Sequence, residues 1–409
     1  MLTKKVAAAD GGTIDVPVMN VDLYRPEILP DPWPILREIH DSGPLVWNEL
    51  GFWMTAHDRT CRYIFARPNE MRQAGMSTAF FGTDAFISID IKKRHNELRN
   101  IWVSAFSVEA ASRLARFVHD TTNRLIDDFE DDLRAGKPVD VVGRLCRQIP
   151  TYVIAHMMGV SEEMIPHVVR WSDLMGDATL NGFPIDYDND PHWLAAEQAK
   201  KDLAGYLTEQ FDYRRKNPGT DLISSIVNAQ HDVELTHEGM LQNTRQLLFA
   251  GNETTAKWLG HVFETYAHYP DIRREVLADR RLMRQAAEEV MRWQGVTQLT
   301  PRSAVEHPVA VDGVLIEPGV DVLMLIGAAG RDPERWADPD RFDIHREQKP
   351  HLGFGFGMHT CLGAVLARME VHEVLSAFFD RFPDFHLDRP VKYGMFSLRG
   401  ATELWIKAD

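Results

Sequence analysis

Apolar residues recur at helical spacing along most of the chain. Leu114, Phe117, Val118, Leu125, Phe129 and Leu133 fall on one face of a 3.6-residue period, which predicts a core helix over 108–134 that stops at Gly136. Similar patterning predicts helices over 92–102, 141–158, from Ser161 to about Met175, over 192–215 and 221–230, and one long helix over 237–269. Asp31-Pro32-Trp33-Pro34 opens an earlier helix, because proline suits a first turn, and Gly43-Pro44 closes it; helical character returns at Asp58. The period shortens in a few places. Residues 44–50 and 52–56 predict a hairpin about Gly51, while 309–311 and 314–316 flank a tight Asp312-Gly313 turn and 320–326 follows Pro318-Gly319. Residues 1–20 are expected to be extended or flexible at the surface. The chain therefore reads as mainly α with a small β region, in a single domain over 1–409.

Three segments break the pattern. Residues 71–90 are irregular yet carry Met76, Phe80, Phe81, Phe86 and Ile87 together with two glycines, Gly75 and Gly82, so they either plug the core or line a pocket. Between Gly176 and Pro191 lies a connector rich in Gly, Pro, Asp and Asn, which could act as a gate. The centre of the long helix reads Ala250-Gly251-Asn252-Glu253-Thr254-Thr255, which is poor helix material. Threonine hydroxyls can bond back to the carbonyl four residues earlier and bend the helix there.

Charge and cysteine usage narrow the function. Sixty acidic against 45 basic residues give a net charge of −15, which argues against a nucleic-acid partner. Cys61, Cys146 and Cys361 are an odd, widely spaced set, so no disulfide framework or paired-cysteine metal site is suggested and a reducing compartment fits. No run approaches the roughly 18 apolar residues of a membrane span and the N-terminus lacks the apolar core of a signal peptide, so no membrane role and a cytoplasmic location are expected.

The stretch Phe354-Gly355-Phe356-Gly357-Met358-His359-Thr360-Cys361-Leu362-Gly363-Ala364 carries the chemistry. Its first two glycines let backbone wrap a sulfur closely, and the helix-forming run after Cys361 sets the thiol near a helix N-terminus, where free N–H groups favour the thiolate. An anionic sulfur in an aromatic-lined loop suits the axial position of a haem. The stretch resembles the haem-ligand signature of the cytochrome P-450 monooxygenases, in their soluble bacterial form. Ala250-Gly251-Asn252-Glu253-Thr254-Thr255 is similar to the oxygen-binding groove of the same family, and Glu289 with Arg292, at i, i+3 on a helix, resembles its structural ion pair, with Arg341 as third member.

The resemblance implies a triangular helical prism that holds haem b (iron protoporphyrin IX) between the long helix and the Cys361 loop. It implies Cys361 as iron ligand, Thr254 and Glu253 as the catalytic pair that supplies protons during O2 activation, and Ala250, Gly251, Phe354, Gly355 and Gly363 along the haem. His95 and Arg99, which share a helix face at i, i+4, are expected to hold the propionates with Arg302 and His359. It makes 71–90 the roof over the substrate, and Phe80, Phe81, Phe86, Leu174, Leu247, Thr297, Leu299 and Phe396 are the expected pocket, apolar enough for a small or medium hydrophobic molecule. The implied reaction is hydroxylation, oxidative demethylation or epoxidation by a monomer, with electrons from a ferredoxin and its NAD(P)H-driven reductase docking near Lys92, Lys93, Arg94 and Arg368. A peroxygenase would not need Glu253 and Thr254. A non-catalytic haem sensor would show no NAD(P)H-driven turnover with any donor.

Overall fold

A computed structural model describes residues 2–73, 78, 80–180 and 189–408. Helix starts follow the local chemistry. Ser107 caps helix Val108–Asp127, Asp190 caps Pro191–Lys216, Asp221 caps Leu222–Ala229 and Thr236 caps the central helix His237–His268, each side chain accepting a backbone N–H of the first turn. Helix Trp33–Ser42 has proline in its first turn and ends at Gly43, whose φ of 144° a side chain would resist.

The central helix is buried around most of its circumference, which fixes where everything else sits. Trp258, Leu259, Val262, Phe263 and Tyr266 meet Phe378, Phe379 and Phe385 in the largest core cluster. Helices Gln148–Met157, Leu282–Gln294 and Ala364–Arg381 pack against it. Two smaller clusters lie under the main sheet, one around Trp53, Val311 and Val322, the other around Leu36, Met54, Leu299 and Phe396.

That sheet has seven strands in the order Leu2–Ala7, Thr13–Met19, Val46–Asn48, Phe52–Thr55, Asp321–Met324, Thr300–Ala304 and Met71–Gln73. Thr13–Met19 runs parallel to Val46–Asn48 and Asp321–Met324 parallel to Phe52–Thr55; the other neighbours are antiparallel. The sheet carries Gln73 and Arg302, directly paired across two strands, to the edge of the helical body. Both expected hairpins form, about Gly51 and about Asp312-Gly313, where Asp312 takes a φ of 44°. None of the helices described is long and apolar enough to cross a membrane.

Several expectations are corrected. Residues 2–19 are extended, one of the two alternatives expected, but they pair as an ordered antiparallel hairpin, registered from Leu2 opposite Val18 to Ala7 opposite Thr13. The helix over 108–134 is two, because Phe129 turns inward and is buried at the junction before Glu130–Arg134. The element at 141–158 begins with a wide turn over Val142–Cys146, held by the Asp140 carboxylate accepting from the amides of Val142 and Gly143, before Gln148–Met157 turns regular. Helix Ile165–Leu180 runs through Gly176, so the connector is shorter than expected, and its residues 181–188 lie outside the described ones. The central helix is continuous through Gly251, because burial and helix-spanning side-chain bonds outweigh the poor local propensity.

Candidate active site

A chamber of about 290 Å³ opens between the central helix, the 353–363 loop and the sheet edge. Its floor is the cysteine loop. Gly355 and Gly357 both adopt φ of 71°, and a Cβ on either would press on backbone, His359 O or Phe65 O, at 3.2 Å. The Cys361 amide donates to Phe354 O at 2.8 Å, closing the loop so that the sulfur faces the chamber. Protein atoms pack around the remainder of the thiol and push its pKa up, while the Gly363 N–H and the charges of Arg99 and Arg368 pull it down. Gly363 caps helix Ala364–Arg381, so Cys361 stands just before the helix rather than in its first turn. Phe354 lies edge-on to Trp258 at 5.5 Å.

One end of the chamber is cationic. His95, Arg99, Arg302 and His359 line it together, with Asp90 as the acid among them. Arg302 is buried and loses solvation, which lowers its pKa to about 10; it donates to Pro301 O at 2.8 Å and to Gln73 Oε1. His95 is fully buried, its pKa is pulled down to about 4 by desolvation, and its Nε2 has no partner among the described residues. The His359 ring meets that of His95 edge-on at 4.8 Å and its Nε2 lies 3.2 Å from Asp90 Oδ1. A buried imidazole nitrogen without a partner, which becomes a donor when the ring is protonated, and desolvated guanidinium groups are what a pair of carboxylates would satisfy, so this end fits haem propionates and the cysteine floor fits the metal.

A family sequence model described as "Cytochrome P450" matches residues 55–392. The chain belongs to the cytochrome P450 family. Members bind haem b, and this protein is a cytochrome P450 monooxygenase. It is 31% identical to cytochrome P450 monooxygenase PikC of Streptomyces venezuelae, over 92% of this chain and 90% of that one. It is 35% identical to the mycinamicin IV hydroxylase/epoxidase of Micromonospora griseorubida, over 76% of each. The fold matches that of CYP109E1 from Bacillus megaterium in complex with testosterone with a TM-score of 0.83 and 26% identity, over 94% of this P450 and 100% of that chain.

Of the residues singled out in the sequence, Ala250, Gly251, Thr254, Leu247, Thr297, Phe86, Phe354, Gly355 and Gly363 all line the chamber. The Thr254 hydroxyl donates to Ala250 O at 2.9 Å, leaving its lone pairs toward the open space. Glu253 points elsewhere. Its carboxylate is paired with Lys257 one turn on and lines a separate cavity of about 20 Å³ with Arg147, Gly176 and Thr402, enough for about one water. Burial pushes the Glu253 carboxyl up, but Lys257 and Arg147 together outweigh it and hold it below its ordinary range.

Other placements differ from expectation. Leu299 and Phe396 belong to the core cluster under the sheet, where Phe396 is fully buried against Tyr24, so the C-terminal turn packs the core instead of dipping into the chamber. Phe80 and Phe81 pack on Phe249, one tilted at 4.7 Å and the other edge-on at 5.9 Å, and do not line the chamber, while Leu174 packs against the main core. Met76 and Gly75 lie outside the described residues. The Glu289–Arg292 pair is buried, 2.7 and 2.8 Å apart at its two contacts, but its third member is Arg346, which donates to Glu289 Oε1 at 3.0 Å; Arg341 supplies only its carbonyl and its side chain is exposed. Arg368 is held by Glu288 at 2.6 and 2.9 Å and Arg94 by Glu97 and Glu234 O, so neither is a free docking charge.

Among the site residues that the sequence reading missed, three bear on the chemistry. Lys257 was legible as a cation four residues after Glu253. Gln246 was legible as an amide in an apolar run. Glu370, in the wall on the cysteine side, is buried without a partner for its Oε2 among the described residues, and desolvation raises its pKa to about 8.

Proposed function

We propose that this P450 hydroxylates, epoxidises or oxidatively demethylates a small to medium hydrophobic molecule, drawing electrons from a ferredoxin and its NAD(P)H-driven reductase in the cytoplasm. The observation that carries the reading is one chamber with the Cys361 sulfur in its floor, the His95, Arg99, Arg302 and His359 cluster at one end, and Thr254 in a mostly apolar wall that includes Phe86, Ile87, Leu247, Met291 and Val296. PikC and the mycinamicin enzyme, whose printed names are a monooxygenase and a hydroxylase/epoxidase, support the reaction class. Bound here, haem supplies O2 activation and the insertion of one oxygen atom into a C–H bond or double bond.

The chain's own residues do the remaining work. Cys361 would hold the iron through its sulfur, and the Gly363 N–H stabilises negative charge there. Arg302, Arg99, His95 and His359 bind and orient the propionates. Thr254, with its hydrogen committed to Ala250 O, accepts from a water at Oγ1 and holds it in the chamber. Glu253, held charged by Lys257 at rest, takes up a proton through the small cavity once it leaves Lys257, and carries it to Thr254. Lys92 and Lys93, both exposed, form the ferredoxin docking charge in place of the engaged Arg94 and Arg368; charge reversal at both should slow electron transfer at low salt and not at high salt.

The test is the carbon monoxide difference spectrum of the dithionite-reduced, haem-loaded protein. A strongly red-shifted Soret band that Cys361→Ser abolishes is expected. Its absence from folded, haem-replete protein would remove Cys361 as ligand and the mechanism with it.

A further inference from the structure

Four polar residues within one stretch of the central helix, 242–246, fasten the roof of the chamber. Gln242 Oε1 accepts from the Asp84 amide at 2.8 Å, Asn243 Oδ1 from Phe86 at 3.0 Å and Gln246 Oε1 from Ile87 at 3.2 Å, while Arg245 donates to Phe81 O at 2.9 Å. These bonds fix the amide orientations, since only an oxygen can accept from a backbone N–H.

The three amides differ at their other end. The NH2 of Gln242 donates to Glu238 Oε1 at 3.1 Å, and that of Asn243 donates to Asp84 O at 2.7 Å and to Gly239 O at 2.8 Å. Gln246 Nε2 donates to no described residue. It is not sealed in protein either: Gln246 lines the chamber, beside Leu247, Phe86 and Ile87, and its nitrogen is absent from the enclosed unpartnered groups. A residue that is 2% exposed thus directs an unused donor into an apolar space. Leaving such a donor unpaired is unfavourable, so an occupant with an oxygen in reach is selected over one without.

We propose that Gln246 is a specificity-determining residue whose amide N–H donates to a carbonyl or hydroxyl oxygen on an otherwise apolar substrate. This rests on the chamber being the monooxygenase's substrate site. Gln246 precedes Thr254 by eight residues, which at 1.5 Å rise places them about 12 Å apart along the helix axis. The substrate class is an apolar skeleton with an oxygen acceptor on the order of 10 Å from the carbon held beside Thr254. Because the same amide binds Ile87, occupancy also tightens the roof.

The test uses haem-loaded protein and matched probes with one skeleton: cyclododecanone against cyclododecane, and fluorenone against fluorene. Dissociation constants come from spectral titration. Wild type should bind the ketone of a pair about tenfold tighter than the hydrocarbon, the effect of one buried hydrogen bond. Gln246→Leu removes donor and latch together. Gln246→Glu, studied from pH 8 to pH 10 because burial raises a carboxyl in this chamber as it does that of Glu370, keeps an acceptor for Ile87 and, once ionised, removes the donor. Both variants should lose the preference, with hydrogen exchange at Asp84, Phe86 and Ile87 unchanged in Gln246→Glu and faster in Gln246→Leu. No preference in wild type, or a preference that survives in Gln246→Glu, overturns the proposal. So does a preference lost only where the roof amides also lose protection, which would make Gln246 a latch alone. A normal carbon monoxide band with equal ketone and hydrocarbon affinities refutes Gln246 only, whereas a missing band removes the monooxygenase reading beneath it.

Discussion

Replacing Lys257 with methionine tests what keeps Glu253 charged. Methionine preserves the stem on which Gly400 packs, where a Cβ would lie 2.5 Å from the lysine's Cβ, and removes only the ammonium. The Lys257 side chain is 4% exposed and that of Glu253 17%, so solvent replaces little of what is lost. A hydrogen bond to a charged group contributes about 1.5–3 kcal/mol. At about 1.4 kcal/mol per pKa unit, Glu253 should titrate about one to two units higher in Lys257→Met than in the parent. Burial, the larger opposing influence, then prevails and lifts the carboxyl above its ordinary range.

The sign of the pH dependence should invert. In the parent the folded carboxyl lies below its unfolded value, so its stabilising contribution is present above about pH 4.3 and lost as pH falls through the folded pKa. In Lys257→Met the folded carboxyl binds its proton first, and stability is gained as pH falls through the raised value. Carboxyl carbon NMR of glutamate-labelled protein, with Glu253→Gln to assign the resonance, reads the shift. A double-mutant cycle by denaturant unfolding reads the coupling, expected at about 1.5–3 kcal/mol. An unmoved Glu253 resonance together with a coupling below about 0.5 kcal/mol would show that Lys257 does not control the charge on Glu253.

Two other measurements follow from the site and its frame. Arg346→Ala should destabilise by about 1.5–3 kcal/mol, since it removes a charged hydrogen bond to buried Glu289, and Arg341→Ala by less than about 0.5 kcal/mol; equal losses would return Arg341 to the ion-pair network. Haem-free protein should lose stability as pH falls from about 6.5 toward 4, because buried His95 resists the proton it accepts when unfolded, and haem loading should raise the His95 pKa; histidine ring-proton NMR that shows no rise would place the propionates elsewhere.

What was legible in the sequence was what is local. The glycines, cysteine and following helix of 354–364 define one another through neighbouring backbone, so the floor of the chamber could be read directly. The helix over 237–269 starts where expected because its cap, Thr236, acts over only three residues. The failures lie where two distant segments must meet. Arg341 and Arg346 are equally plausible partners for Glu289 until the course of the intervening chain points one side chain in and the other out. Phe396 looked like a pocket residue because it is aromatic in a turn, yet the sheet beneath offers it a fully buried site. The roof bonds pair residues nearly 160 positions apart, as Ile87 with Gln246, and no spacing rule reaches that far.

The hairpin at the start of the chain protects against self-association. Its outer strand Leu2–Ala7 is one edge of the seven-stranded sheet, and edge strands present unpaired backbone groups that another molecule can extend. Lys4 and Lys5 sit in the middle of that edge, Lys4 held with its ammonium 3.9 Å over the Trp47 ring. Two charges on a short strand repel a second copy. A protein trimmed through residue 19 would instead present Val46–Asn48 as the edge, without a lysine and with Trp47 uncovered, and should aggregate at concentrations where the full chain does not.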